Sequence, residues 1–441
     1  MSKPANTKKK STSLKHVPGF THVKTVANID EYILKRNGLR VLYHNRADTE
    51  VVTTNITYLV GAIDETLGKS GLAHMLEHML FKPTKADIKA KITNGRAMKF
   101  EREVGCILNA NTWKDRTTYY FSYPAKYVDT ALNIEAQRMT GVVLNQKELG
   151  PEQNNVLSEF DMYNGDPYFA ITVQLVSTAF LSHPYGHETI GYREDIEDYT
   201  PERLQQFYTD YYRPDNAVMM VIGDIDKKTA LEAIKKQFTA IKNPATPVPR
   251  HHIREPKQEG IRRVSIERNS TTNILSIGFK HAGLGTVEWL TTSIMLNVLT
   301  SGPESVFEKL LVDTGKVASI DSSLEPTRDT NLAVMHFTLA PGHSHGELEK
   351  IVLETIEKQS VSDITQLVKK VKANMLTEEL FSRTSSMQIA QELTEYVASG
   401  NWENYAKTPD LLKTITPKMV VDCMKTHFKP DNLTIGTFIG K

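Results

Sequence analysis

The sequence predicts an α+β chain of two homologous domains, each a mixed, largely antiparallel sheet packed with helices. Three observations lead there: a repeated pair of anchors, helices and strands in mixed order around them, and a proline-rich joint between the copies. Thr200-Pro201-Glu202-Arg203 opens a segment that closes on Tyr212-Arg213-Pro214-Asp215-Asn216. Thr416-Pro417-Lys418-Met419 opens another that closes on Phe428-Lys429-Pro430-Asp431-Asn432. Every matched position lies 216 residues on, with no gap between the anchors. Each copy reads as a threonine N-cap, proline at the first helical position, a helix, and a Pro-Asp-Asn turn. An apolar strand follows, Ala217 to Ile222 and Leu433 to Ile439. A duplicated unit of about 200 residues has the size of an ordinary domain.

In chain order, residues 1–22 are polar and lysine-rich and read as a disordered tail. Residues 23–242 make the first domain. Within it Tyr32 to His44 reads as a hairpin turning at Asn37-Gly38, and Val51 to Val60 alternates like a strand. Asp129 to Val142 and Glu152 to Met162 read as helices. Residues 243–260 hold Pro244, Pro247, Pro249 and Pro256 with few apolar neighbours, the composition of a linker. Residues 261–441 make the second domain, with helices expected at Val287 to Leu299, Gly346 to Lys358 and Ser362 to Glu379.

Composition removes several function classes. Lysine plus arginine total 53 against 52 acidic residues, which excludes the strong basic excess of a dedicated nucleic-acid binder. No apolar run approaches the roughly 20 residues of a bilayer span. The N-terminus has no apolar segment behind its charges, so no signal peptide is read in this chain. Cys106 and Cys423 are too few for a disulfide framework or a cysteine zinc site. These features point to the cytoplasm, or to the periplasm if a leader has been removed.

The feature that carries chemistry is His74-Met75-Leu76-Glu77-His78. On a helix, positions 74 and 78 share one face, one turn apart. Two imidazoles so placed meet one metal ion at about 2.0–2.1 Å from each nitrogen. Glu77 borders that face and is placed to take a proton from an attacking water without being a ligand. This is the H-x-x-E-H arrangement. The histidines stand among Leu72, Met75, Leu76, Met79, Leu80 and Phe81, and buried polar groups need partners, which a metal supplies. A catalytic zinc site takes a third protein ligand. Glu152 and Glu159 are seven apart on one predicted helix face, and periodicity does not choose between them.

Other motifs carry less. Gly68-Lys69-Ser70 lacks the earlier glycine of a phosphate-binding loop, because residue 63 is isoleucine. His183 and His187 flank Pro184-Tyr185-Gly186, a turn that separates them, and read as a structural loop. His343 and His345 read as solvent-exposed, and Cys106 as a small core residue.

Together these residues resemble the pitrilysin/insulinase family of zinc metallopeptidases, specifically its single-half bacterial type related to the mitochondrial processing peptidase. The likeness rests on Asn37-Gly38-Leu39-Arg40-Val41, the block Gly71 to Phe81, and Asn109-Ala110-Asn111-Thr112 with Asp115-Arg116-Thr117. The Glu152 to Glu159 segment and the Pro214-Asp215-Asn216 turn add to it. The resemblance implies a half-clamshell fold, one Zn2+ held by His74, His78 and Glu159, and Glu77 as the general base. It implies that Glu152 supports catalysis from beside the site, and that Asn109, Ala110, Asn111 and Thr112 pair with an extended peptide substrate. Position 290, which is 216 after His74, is leucine, so the second copy is expected to be metal-free.

One departure bears on function. The resemblance implies an arginine and a tyrosine on the substrate side of the second domain, where this chain has Val306 and Ala318. The reading is therefore a zinc endopeptidase acting on peptides or unfolded segments, with a non-catalytic peptide-binding or assembly subunit as the alternative. A single half also leaves its site open to water. A dimer is expected, preferably with a zinc-free homologous chain supplying the arginine and tyrosine, alternatively with a second copy.

Overall fold

The computed structural model describes residues 17–441. In the first half the strands are β1 (Phe20–Val26), β2 (Ile29–Leu34), β3 (Arg40–Asn45), β4 (Val51–Tyr58), β5 (Ile107–Thr112), β6 (Thr117–Pro124) and β7 (Ala217–Gly223). Its helices are α1 (Leu72–Met79), α2 (Lys85–Lys89), α3 (Arg96–Val104), α4 (Val128–Gly141), α5 (Gln146–Asn164), α6 (Pro167–Ala179), α7 (Arg193–Glu197), α8 (Pro201–Tyr211) and α9 (Lys227–Phe238). The second half has β8 (Arg262–Arg268), β9 (Ile274–His281), β10 (Val317–Ser323), β11 (Asn331–Leu339) and β12 (Leu433–Gly440). Its helices are α10 (Val287–Thr300), α11 (His345–Lys358), α12 (Val361–Ser382), α13 (Ser386–Ala398), α14 (Asn404–Thr414) and α15 (Pro417–His427).

The seven-stranded sheet runs β1-β2-β3-β7-β4-β6-β5 and the five-stranded sheet β8-β12-β9-β11-β10. The second order repeats the last five strands of the first. Each sheet has one parallel pair, β3 with β7 and β8 with β12, and is otherwise antiparallel. The α+β class and the duplication are thus visible in the topology.

Each copy lends a helix to the other's sheet. α6 lies on β8, β9 and β12. Ile171 and Leu175 come so close that a Cβ at Gly436 would stand 3.0 Å from both side chains. α13 lies on β4 and β7, where Ile389 and Leu393 bury Leu42, Val218, Met220 and Ile222. The alternation in β4 reads in sequence as one wet and one dry face, yet both faces are covered. Thr53 Oγ1 is 2.8 Å from Ser386 Oγ, and Asn55 Nδ2 donates to Thr394 Oγ1 at 3.1 Å. Buried polar groups need such partners, and α13 brings them from the far end of the chain.

Three expectations shift in detail. β1 begins at Phe20, within the stretch read as tail, because Phe20 is buried and pairs with Leu34; residues 1–16 lie outside the described ones. α5 begins at Gln146, capped by Asn145, whose Oδ1 accepts the Glu148 N–H at 3.0 Å. Pro151 thus sits inside the helix, costing one bond to the carbonyl of the exposed Lys147. His343 and His345 are both half-buried, the second at the start of α11 with its Nε2 3.1 Å from the Phe438 carbonyl. Residues 243–260 carry no helix or strand, but Glu255 pins them by accepting the Leu181, Ser182 and His183 N–H groups at 2.9–3.1 Å. Among the described residues, no helix is long and apolar enough to cross a membrane.

Candidate metal centre

α1 is short and both of its ends are held. It starts at Gly71, whose φ of +82° is left-handed backbone, and a Cβ there would meet Tyr199 Oη at 2.3 Å. Glu65 accepts the Gly71 and Ala73 N–H groups at 2.7 and 2.8 Å, satisfying donors the helix start leaves open. His187 Nε2 stands 3.0 Å from the same carboxylate. The loop of His183 and His187 is structural, and one of its histidines braces the helix that bears the motif.

His74 and His78 point to one side of α1, toward α5. Their Nε2 atoms are 3.3 Å apart, and Glu159 Oε2 lies 3.8 Å from the first and 3.7 Å from the second. Two imidazole nitrogens in one tetrahedral zinc shell stand roughly 3.3–3.4 Å apart. The donor set therefore fits a metal ion. Among the described residues it is the one group of three or more His, Cys, Asp or Glu side chains so arranged. Glu152 is not in it. Its Oε2 lies 3.4 Å from His78 Nδ1, behind the ring, and its other oxygen meets Lys82 Nζ and, at 3.2 Å, Asn155 Nδ2. A carboxylate on the far nitrogen fixes ring orientation and tautomer.

The surrounding carboxylates and burial set the electrostatics of this arrangement. Burial, with the neighbouring His78, drops His74 to about 3, so its ring is neutral. Burial opposes the charged form of His78, but Glu152, Glu77 and Glu159 outweigh it and raise the ring above its ordinary value. The His78 contact and Lys82 hold Glu152 down at about 2 against burial. Glu77 is raised, by burial first, although Thr112 Oγ1 donates to its Oε2 at 2.6 Å. A buried, basic carboxylate oriented by one hydroxyl is suited to taking a proton.

The second copy supplies an internal control. Residues 216 after His74, Glu77, His78, Glu152 and Glu159 are Leu290, Ser293, Ile294, Val368 and Met375. They lie on α10 and α12, which pack against each other as α1 and α5 do. Leu290, Ile294, Val368 and Met375 all belong to or pack against the second core. An apolar crossing is the stable default, so the polar set in the first copy is a departure that packing does not ask for.

Among the described residues β5, carrying Asn109, Ala110, Asn111 and Thr112, is the edge strand of its sheet and pairs with β6 alone. Its outer side is open backbone of the kind that receives an extended peptide. The Ala110 N–H is meanwhile covered by Asn109 Oδ1 at 2.9 Å, and Arg116 ties Asn111 to Glu395 of α13. Sequence reasoning placed Thr112 in the strand and missed its bond to Glu77. It also missed Glu65 and Lys82, although a carboxylate ahead of the helix start and a lysine four residues past His78 were both legible signals.

Known proteins share this architecture. The description "Insulinase (Peptidase family M16)" matches residues 40–193, and "Peptidase M16 inactive domain" matches residues 198–384. Zinc protease PqqE of Helicobacter pylori is 28% identical over 389 residues, covering 86% of each chain. A crystal structure of a protease from Helicobacter pylori superposes with a TM-score of 0.85 at 24% identity, over 96% of this chain and all of that one. The periplasmic protease PqqL from Escherichia coli superposes with a TM-score of 0.74 at 16% identity, over 96% of this chain but 48% of its own. A match to the peptidase family on the first copy, a match to its inactive domain on the second and a fold that spans half of a longer relative all agree: the chain belongs to the pitrilysin/insulinase family of peptidases and corresponds to one half of its longer members.

Proposed function

We propose that this chain is a zinc-dependent endopeptidase hydrolysing peptides or unfolded polypeptide segments. One observation carries the reading: three donors converge from α1 and α5 while Glu77, on the same turn as His78, is buried against the edge strand. His74, His78 and Glu159 would hold the ion. Zinc, when bound, supplies a Lewis acid that polarises the scissile carbonyl and makes a water more acidic. Glu77 takes a proton from the attacking water and delivers it to the leaving amine. Thr112 keeps the carboxylate of Glu77 turned toward the substrate strand, and Glu152 with Lys82 keeps His78 aligned. The outer edge of β5 binds substrate through its backbone, which places few demands on side-chain identity.

The second reading, a non-catalytic binding or assembly subunit, draws on Val306 and Ala318. Val306 packs against the second core and Ala318 is exposed on β10, so neither offers a group to substrate. Both facts support a paired assembly. We propose a dimer that closes the site, with a zinc-free homologous chain supplying arginine and tyrosine, or alternatively a second copy. A quenched fluorescent peptide should be cleaved, cleavage should stop with chelator, and zinc should restore it. No cleavage by the zinc-loaded chain, alone or with its co-purified partner, would leave the subunit reading. Light scattering on the pure chain, followed by co-purification from its source, separates the two pairings. Twice the chain's mass alone marks a second copy, and a pair formed only with a co-purified homologue marks the heterologous partner; a fully active monomer would overturn the assembly.

A further inference from the structure

α1 stops after Met79, whereas the equivalent helix α10 runs on to Thr300, five residues past the matching Met295. Pro83 enforces the stop, since the residue 216 later is Leu299 inside α10. The chain then turns away as Leu80-Phe81-Lys82, with a fully buried guanidinium beneath the turn. Arg138, on α4, donates from Nε to the Leu80 carbonyl at 3.2 Å and pairs with Glu135. Its guanidinium carbon lies 4.5 Å from the ring centre of Tyr119 and 5.5 Å from that of Phe81. In the metal-free copy the corresponding residues are Glu354 and Ile351, so both the pair and the helix stop are missing there.

Stability is a poor reason to keep this pair. Both residues are 1% exposed, and neither Arg138 Nη2 nor Glu135 Oε2 finds a hydrogen-bond partner among the described residues. Buried ion pairs are commonly matched or bettered in stability by apolar residues of similar volume, and incomplete hydrogen bonding makes that more so. What Arg138 reaches is Leu80, the residue that caps the last turn of α1, the turn that carries Glu77 and His78. The next residues carry Lys82, whose ammonium meets Glu152, which in turn faces His78 Nδ1.

We propose that the buried Arg138–Glu135 pair is a positioning device: below the stop that Pro83 sets, it holds the end of α1 so that His78, Lys82 and Glu152 stay in register with His74 and Glu159. The inference rests on the zinc-peptidase reading above. Its test compares the wild type with a Glu135→Leu/Arg138→Met double variant and with Arg138→Lys. The readouts are the unfolding midpoint of the metal-stripped protein, zinc affinity by chelator competition, and kcat and KM separately. The double variant should unfold, metal-free, at the wild-type temperature or above it. It should nonetheless bind zinc about tenfold or more weakly, as loss of an outer support does. At saturating zinc its kcat should fall while KM moves little. Arg138→Lys keeps a charge beside Glu135, but its donors sit on one nitrogen and do not span Glu135 and the Leu80 carbonyl as the guanidinium fork does, so it should weaken zinc in the same way.

Wild-type zinc affinity and kcat in the double variant would overturn the proposal. If that variant does not fold, Arg138→Lys decides: weakened zinc supports the device and unchanged zinc removes it. A wild-type chain that binds no zinc is a different result, overturning the peptidase reading and this inference with it.

Discussion

Glu77→Gln should keep zinc and lose turnover by about 10²–10⁴-fold, the range that a positioned general base contributes. Glutamine preserves shape and can still accept the Thr112 hydroxyl hydrogen bond, so burial and packing around position 77 are retained. It cannot take a proton. Position 77 is outside the group formed by His74, His78 and Glu159, so metal content should match the wild type. Metal analysis and a single-turnover peptide assay on the same sample check both halves. Cleavage at the wild-type rate would sink the assignment of the base, and loss of zinc would make Glu77 a ligand instead.

Glu159→Ala should abolish stoichiometric zinc binding at micromolar concentrations, while Glu152→Ala should only weaken it. The difference follows from which side of the rings each carboxylate occupies. Glu159 faces both Nε2 atoms, so its removal deletes one of three donors. Glu152 faces His78 Nδ1, where an outer partner is worth roughly 10–100-fold in affinity. Removing Glu152 also frees Lys82 beside the ring, which adds to the loss through like charge. Zinc titration against a competing chelator separates the two variants. Retained zinc in Glu159→Ala with lost zinc in Glu152→Ala would exchange the two roles.

The helix period alone puts His74 and His78 on one face, because neighbours four apart meet whatever surrounds them. The same local logic made the Asn37-Gly38 turn legible, along with the threonine caps at 200 and 416 and the strands that follow Asn216 and Asn432. The duplication was also legible, since two anchors at one unbroken offset need no structure to be seen. Resemblance to a family then chose Glu159 over Glu152, a choice that spacing had left open.

What the tertiary structure decided concerns contacts between residues far apart in the chain. The crossing of α1 and α5 sets Glu159 before the histidines and Glu152 behind them; both are on one face of one helix, and periodicity cannot encode a crossing. The exchange of α6 and α13 between sheets was hidden for the same reason. The threonines and asparagine of β4 read as a wet face because their partners, Ser386 and Thr394, lie more than three hundred residues away. Arg138 was invisible too: nothing within a turn of it in sequence announces that a charge will be buried under another helix. Local pattern is set by backbone geometry within a few residues. Which polar groups are buried, and against what, is set by the packing of whole elements, and the support of this site is built from those contacts.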